Sequence, residues 1–341
     1  MENEARVLFA MSMVLSGTAA VFGNIFILTV LLLNKQLQSN TLVLTLSFSL
    51  SDLAIGLLII PFGVYNSVSS TVYPSKSDLC QWSGFILLLL QSSSIQSLTW
   101  VTVDRFMEIC FALNYSNIWT TRRSSFLLAL MWLFCILIAS LPIMGFGSYA
   151  YSKTRFLCCP EFIPQNKHFV MVWMVTTIMM PIFTMCSVHG YMIYVARKQA
   201  RRGMFVSTER HCVNVPAKIY LKGSMVMITN SVYLMICWLP YIAVCVYETL
   251  SGQQSSAASS ALSICLVLSS AALNPWVIYM THRRYRSAVR QSLGKLHQMW
   301  SGMFPLQPFQ KSVGLTSLHT TTPSTETPMS EADLCYSRSQ T

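Results

Sequence analysis

The 341-residue chain is 53% hydrophobic and only 10% charged, and it carries a net charge of +11 at pH 7. A soluble domain of this length needs far more charge to cover its surface, so soluble classes of function are excluded at the outset. The positive excess clusters between apolar runs, which makes it a membrane-orientation signal rather than a footprint for nucleic acid.

Uncharged runs fall near residues 7–34, 36–51 joined through Asp52 to 53–75, 79–103, 124–152, 168–196, 223–247 and 249–281. Each resulting segment exceeds the roughly 20 residues that cross about 30 Å of hydrocarbon. The expected fold is therefore all-α, a seven-transmembrane helix bundle over residues 7–281. The last run opens on the polar SGQQSSAASS, so its membrane part is expected from Ala257. Residues 1–6 read as a short extracellular N-terminus. MENEAR is not a basic leader, so the first helix is expected to serve as its own anchor. With the N-terminus outside, seventeen Lys and Arg lie on the inner side and five on the outer, Arg6, Lys76, Lys153, Arg155 and Lys167. That asymmetry sets the orientation of a multi-pass plasma-membrane protein.

Beyond the seventh run, Tyr285, Val289, Leu293, Leu296 and Trp300 recur at three- to four-residue spacing with arginines between them. Residues 282–300 thus read as an amphipathic eighth helix on the inner membrane surface. Residues 301–341, rich in Ser and Thr, read as a disordered cytoplasmic tail. Most of the eleven cysteines sit in apolar runs as small fillers. Cys80, Cys158 and Cys159 are expected outside, where an oxidising medium favours one bridge from Cys80 to Cys159 or Cys158. The spare thiol has no assigned role.

Among the seven segments, one carries a charge in its middle: Asp52, in SFSLSDLAIGLLIIPF. A carboxylate there costs about 2.5–3.5 kcal/mol on insertion scales and is rarely kept for packing alone. Around it stand NIF at Asn24, DRF at Asp104–Phe106, CWLP at Cys237–Pro240 and LNPWVIY at Leu273–Tyr279. In this order, on these helices, they resemble the rhodopsin-like (class A) G-protein-coupled receptors over about residues 5–298.

The resemblance implies roles, residue by residue. Asp52 with Asn24, Ser94, Ser270 and Asn274 is expected to hold a sodium ion with ordered water; a hard cation suits such oxygen donors. No other cofactor is implied. Arg105 is expected to pair with Asp104 at rest and to reach for a heterotrimeric G protein on activation, with Leu113 as the apolar plug of the second inner loop. Pro240 kinks the sixth helix by removing one backbone hydrogen bond, and Trp238 is expected at the floor of the ligand cavity. Ile95, Pro181 and Leu234 stand at the packing switch beneath it, Leu234 replacing the usual Phe. Two departures touch the switch itself: the family's tyrosines on helices five and seven are His189 and Ile278 here, with Tyr279 one residue late. One residue turns a helical side chain by about 100°, so Tyr279 is not expected to play the same part. Thr322, Ser324 and Thr327 have the spacing of a phosphate triplet that a receptor kinase would write and arrestin would read.

Ligand class follows from the cavity positions. Leu87 stands where amine receptors carry an Asp, and the seventh helix has no Lys, so amines and retinal are both disfavoured. The remaining candidates are Leu87, Leu88 and Gln91 on helix three and Trp173, Met174 and Thr177 on helix five. Helix six adds Trp238, Tyr241, Ile242 and Cys245, and helix seven adds Ile264 and Leu268. The set is apolar and aromatic with a few neutral polar groups, and suits a lipid or another small uncharged molecule. Within the family, the run LPIMGFG…LCCPEF…HFVMVW…MMPIF is most similar to the glucose-dependent insulinotropic (fatty-acyl-amide) subfamily and to adenosine receptors. The leading reading is a receptor that activates G proteins, the stimulatory class first. The alternative is an orphan receptor, non-signalling or constitutively active, with a degenerate switch. A transporter would need paired repeats and broken helices; neither is apparent, and nothing resembles a catalytic site.

Overall fold

The computed structural model describes residues 2–34, 42–69, 77–111, 114–205, 217–281, 285–291 and 294. Among these, seven helices are long and apolar enough to cross a membrane. We label them α1 (Glu2–Leu33), α2 (Leu42–Ala54, continuing through a π-helical turn Ile55–Ile59 into Ile60–Ser69), α3 (Asp78–Cys110), α4 (Thr121–Ser140), α5 (Lys167–Met174, a π-helical turn Val175–Met179, then Met180–Phe205), α6 (Ala217–Ser251) and α7 (Ala257–Thr281). The start of α7 at Ala257 agrees with the polar stretch before it. Helix α6 outruns its apolar core at both ends, because hydropathy marks the hydrocarbon-spanning part while the hydrogen-bond ladder continues into the polar flanks.

Local sequence sets several helix ends. Ser77 accepts from Cys80 N at 3.4 Å to cap α3, and Thr120 accepts from Arg123 N at 3.4 Å to cap α4. Pro240 and Pro275 lie inside α6 and α7, where each deletes a ladder bond.

Packing is turned inside out relative to a water-soluble protein. Large apolar side chains such as Leu15, Phe22, Val68 and Phe183 are exposed, while Asn24, Asp52, Asn274 and a run of serines on α2 and α3 are buried. Hydrocarbon is the solvent that makes this favourable, since polar groups then prefer one another. Helix α3 lies inside, touching α2, α4 and α5, whereas α1 closes the ring against α2 and α7. Close approach at one seam depends on glycine: a Cβ on Gly23 would stand 2.8 Å from the Pro275 ring.

One end of the bundle is covered by an antiparallel hairpin, β1 (Tyr149–Ser152) and β2 (Leu157–Pro160), with Ala150 opposite Cys159 and Tyr151 opposite Cys158. It lies directly on α3, because a Cβ at Gly84 would come within 2.6 Å of the Tyr149 ring. At the other end, the described part of the proposed eighth helix, residues 285–291, is helical. Tyr285, Ala288 and Val289 are buried there and Arg290 is exposed. Leu293, Leu296 and Trp300 fall outside the described residues, as do the tail with Thr322, Ser324 and Thr327, and Leu113.

Candidate ligand cavity and switch

The hairpin end is built first by a disulfide. Successive strand residues point to opposite faces, so only one of two adjacent cysteines can meet α3. The structure joins Cys80 to Cys158, with Cα atoms 5.4 Å apart. Of the two pairings open to the sequence, this excludes Cys159, which turns inward and is buried as a free thiol. Burial pushes its pKa up to about 11, so it stays protonated at neutral pH.

Beside Cys159, the hairpin turn is fastened to both sides of the bundle. Arg155, only 4% exposed, donates to Glu248 of α6 at 2.6 Å and lies 5.0 Å from the Phe162 ring centre. Glu248 in turn accepts from Ser255 N and Oγ at 3.2 and 2.7 Å and from Ser260 Oγ at 3.4 Å. A buried pair survives only with such extra hydrogen bonds, which offset its desolvation. Across the mouth, Phe156 packs 4.8 Å from Phe9 of α1, and its carbonyl accepts from Asn66 of α2 at 3.0 Å. Phe156 has φ 57°, uncommon for a non-glycine residue, and the contacts on either side hold it there.

Below the hairpin, aromatic rings fill the axis. Phe162 lies 6.3 Å from Trp173 and 6.2 Å from Tyr241, and Trp238 meets Tyr241 edge-on at 6.1 Å. Trp173, Met174, Thr177, Trp238, Tyr241, Cys245, Ile264, Leu268, Leu87 and Leu88 are all buried, and Ile242 is half-buried. No carboxylate stands at Leu87. Beneath the rings is a cavity of about 10 Å³, lined by Gln91, Trp238 and Leu268 of the expected ligand set together with Leu234, Ser94 and Asn274. That is room for about one water molecule. The other ligand candidates pack around this axis without lining the cavity.

The cavity floor adjoins Asp52. Ser94 Oγ donates to Asp52 Oδ1 at 2.6 Å, and Asn274 Nδ2 donates to Oδ2 at 2.7 Å. Ser270 lines the cavity, but its hydroxyl donates to Val267 O at 2.6 Å instead of turning to Asp52. Asn24 spends its amide N–H on Ala20 O and Ala271 O, while its Oδ1 is buried without a hydrogen bond. The Asp52 carboxylate and the oxygen of Ser94, which lines the small cavity, are donors that suit a hard cation such as sodium, whereas Asn24 does not line that cavity. A second polar ladder runs alongside: Ser51 to Ser93 at 2.8 Å, and Ser47 to Ser97 at 3.1 Å with Trp132 Nε1 donating to Ser47 at 2.9 Å.

At the opposite end of α3, Arg105 Nη2 lies 3.2 Å from Asp104 Oδ2. Two further partners were not anticipated. Arg105 Nη1 also meets Glu108, three residues on, and Tyr115 Oη donates to Asp104 Oδ1 at 2.7 Å. The first was readable as an i,i+3 pair; the second required the fold of the following helical turn, Tyr115–Ile118. Phe106 packs edge-on against Phe111 and Tyr191, at 5.7 and 5.6 Å. His189 is buried in α5. Tyr279 packs against Trp276 and Tyr285 at 6.4 and 6.5 Å, and the Ile278 side chain falls outside the described residues.

Comparison with known proteins agrees with this arrangement. The model of the seven-transmembrane receptors of the rhodopsin family matches residues 23–279. Adenosine receptor A3 of Canis lupus familiaris is 28% identical over 210 residues, 60% of this chain and 66% of that protein. The match thus spans just under two thirds of that relative's length. Histamine H2 receptor of the same species is 26% identical over 274 residues, 80% of this chain and 75% of that protein. Human adenosine receptor A2a is 23% identical over 287 residues, 80% and 68%. The family match covers most of the bundle, with Asn24, Asp52, Arg105, Trp238 and Asn274 inside it, and the chain belongs to the rhodopsin-family (class A) seven-transmembrane receptors, multi-pass proteins of the plasma membrane and not enzymes.

Proposed function

We propose that this receptor converts the binding of a small uncharged, largely apolar ligand, such as a lipid, into activation of heterotrimeric G proteins, the stimulatory class first. The hairpin end faces outward and the Arg105 end faces the cytosol. The observation that carries the reading is the pairing of the two ends in one bundle. An aromatic axis with no acceptor for an amine at Leu87 leads down to Asp52 and on to an Arg105 held by Asp104. The names of the relatives point to adenosine and to histamine. A cationic amine would meet Leu87 in place of the carboxylate that amine receptors carry there. A receptor kinase and arrestin would act on the tail through Thr322, Ser324 and Thr327.

The test is a cAMP and calcium assay of cells expressing the unliganded receptor against empty vector, then with neutral lipids added. A cAMP rise above vector supports the reading. Surface-expressed receptor that moves neither signal under any condition turns it over to a non-signalling binder.

Asp52, Ser94 and Asn274 would hold sodium in the resting receptor, supplying the countercharge that a buried carboxylate lacks. Raising sodium at constant ionic strength is then expected to raise the melting temperature of purified protein by mass action. Asp52→Asn is expected to abolish that response. A sodium-independent transition in the wild type would leave a hydrated polar network in place of the ion.

A further inference from the structure

The hairpin over the aromatic axis is fastened in two different ways. Its strands are pinned to α3 and α4: Cys158 is bonded to Cys80, Gln81 Nε2 donates to Tyr149 O at 3.1 Å, and Tyr149 Oη donates to Ala139 O at 2.8 Å. The turn between the strands instead reaches α1, α2 and α6 through non-covalent contacts of Arg155 and Phe156. Arg155 also lies over Phe162, whose ring meets both Trp173 and Tyr241. Its guanidinium thus caps the aromatic axis.

We propose that the hairpin is a hinged lid on that axis, with the Cys80–Cys158 bridge on the hinge side and the Arg155–Glu248 pair as its latch. The lid governs access to the axis whatever the ligand is, and so stands apart from the signalling reading. Local opening runs through the contacts that are least held, and here those are at the turn. A buried ion pair gives the lid two discrete states, since the charges are satisfied either by each other or, once parted, by water. Glu248 accepts from Ser255 and Ser260 independently of Arg155, which lowers the cost of parting. Phe156, held at φ 57° by its contacts, is released with the turn, and that favours opening.

Cys159 reports the state of the lid, because its free thiol is only 2% exposed. The full-length receptor in detergent micelles is treated with a bulky charged maleimide, and alkylation of Cys159 is followed by peptide mass spectrometry, with Cys159→Ser as the blank. Micelles leave both ends of the bundle accessible, so the result does not depend on which end faces outward, and no ligand or G protein enters it. Labelling tracks the open population. The wild type is expected to label slowly. Glu248→Gln, which removes the charge but keeps an acceptor for Ser255, is expected to label about tenfold faster. Arg155→Lys, which keeps the cation, is expected to fall between them and makes the same comparison if Glu248→Gln does not fold. Cys135 and Cys237, both buried elsewhere in the bundle, are expected to keep their wild-type rates. Equal Cys159 rates in wild type and the variants overturn the latch. So does a parallel rise at all three cysteines, which is general loosening. Wild-type Cys159 that labels as fast as a free cysteine overturns the closed lid.

Discussion

Replacing Arg105 by Ala is expected to abolish signalling while surface protein stays at the wild-type level. Arg105 is held by Asp104 and Glu108 of its own helix, so its release needs no other helix to let go of it. On the proposed coupling, an outward swing of α6 about Pro240 would free the guanidinium to reach a G protein. An interface Arg of this kind typically carries about 2 kcal/mol or more, a loss of about thirtyfold or greater. The fold tolerates the change because Asp104 keeps the Tyr115 hydroxyl at 2.7 Å. A cAMP assay normalised to surface labelling measures both quantities. Wild-type signalling from Arg105→Ala would overturn the role of Arg105 in coupling. His189 and Ile278 in place of the family's tyrosines are expected to keep wild-type signalling modest, and Tyr at both positions to raise it.

Surface expression should fall strongly with Cys80→Ser and equally with Cys158→Ser, whereas Cys159→Ser should stay near wild type. The bridge spans 78 residues of sequence, and loss of such a link typically costs about 2–5 kcal/mol. The sequence alone suggests that adjacent cysteines could stand in for each other. The strand makes that costly. Cys159 points to the face of β2 opposite Cys158, and exchanging them would shift the hairpin by one residue, reversing every side chain on it. Arg155 would then leave Glu248, and a buried carboxylate would lose its cation. Flow cytometry of the three variants decides the matter; equal levels for wild type and Cys80→Ser would refute a structural bridge.

The spans, their order and the membrane as solvent were legible from residues alone, because hydrocarbon tolerates almost no charge and a break in an apolar run is therefore informative. Asp52 stood out for the same reason: one carboxylate in seven apolar segments has few explanations. Its partners Ser94 and Asn274 were reachable through motif spacing, since helical periodicity carries a residue's face along the chain. Tertiary structure alone decided the choice of Cys158, the Arg155–Glu248 clasp, the contact of Tyr115 with Asp104 and the burial of His189. It also decided that the ligand axis is filled by Phe162, Trp173 and Tyr241. Those features join residues 11 to 93 positions apart, or depend on which face of a strand or helix turns inward. Hydropathy reports the solvent each segment meets; it holds no information on which neighbour satisfies a given polar atom, because that depends on distances set only when the helices pack.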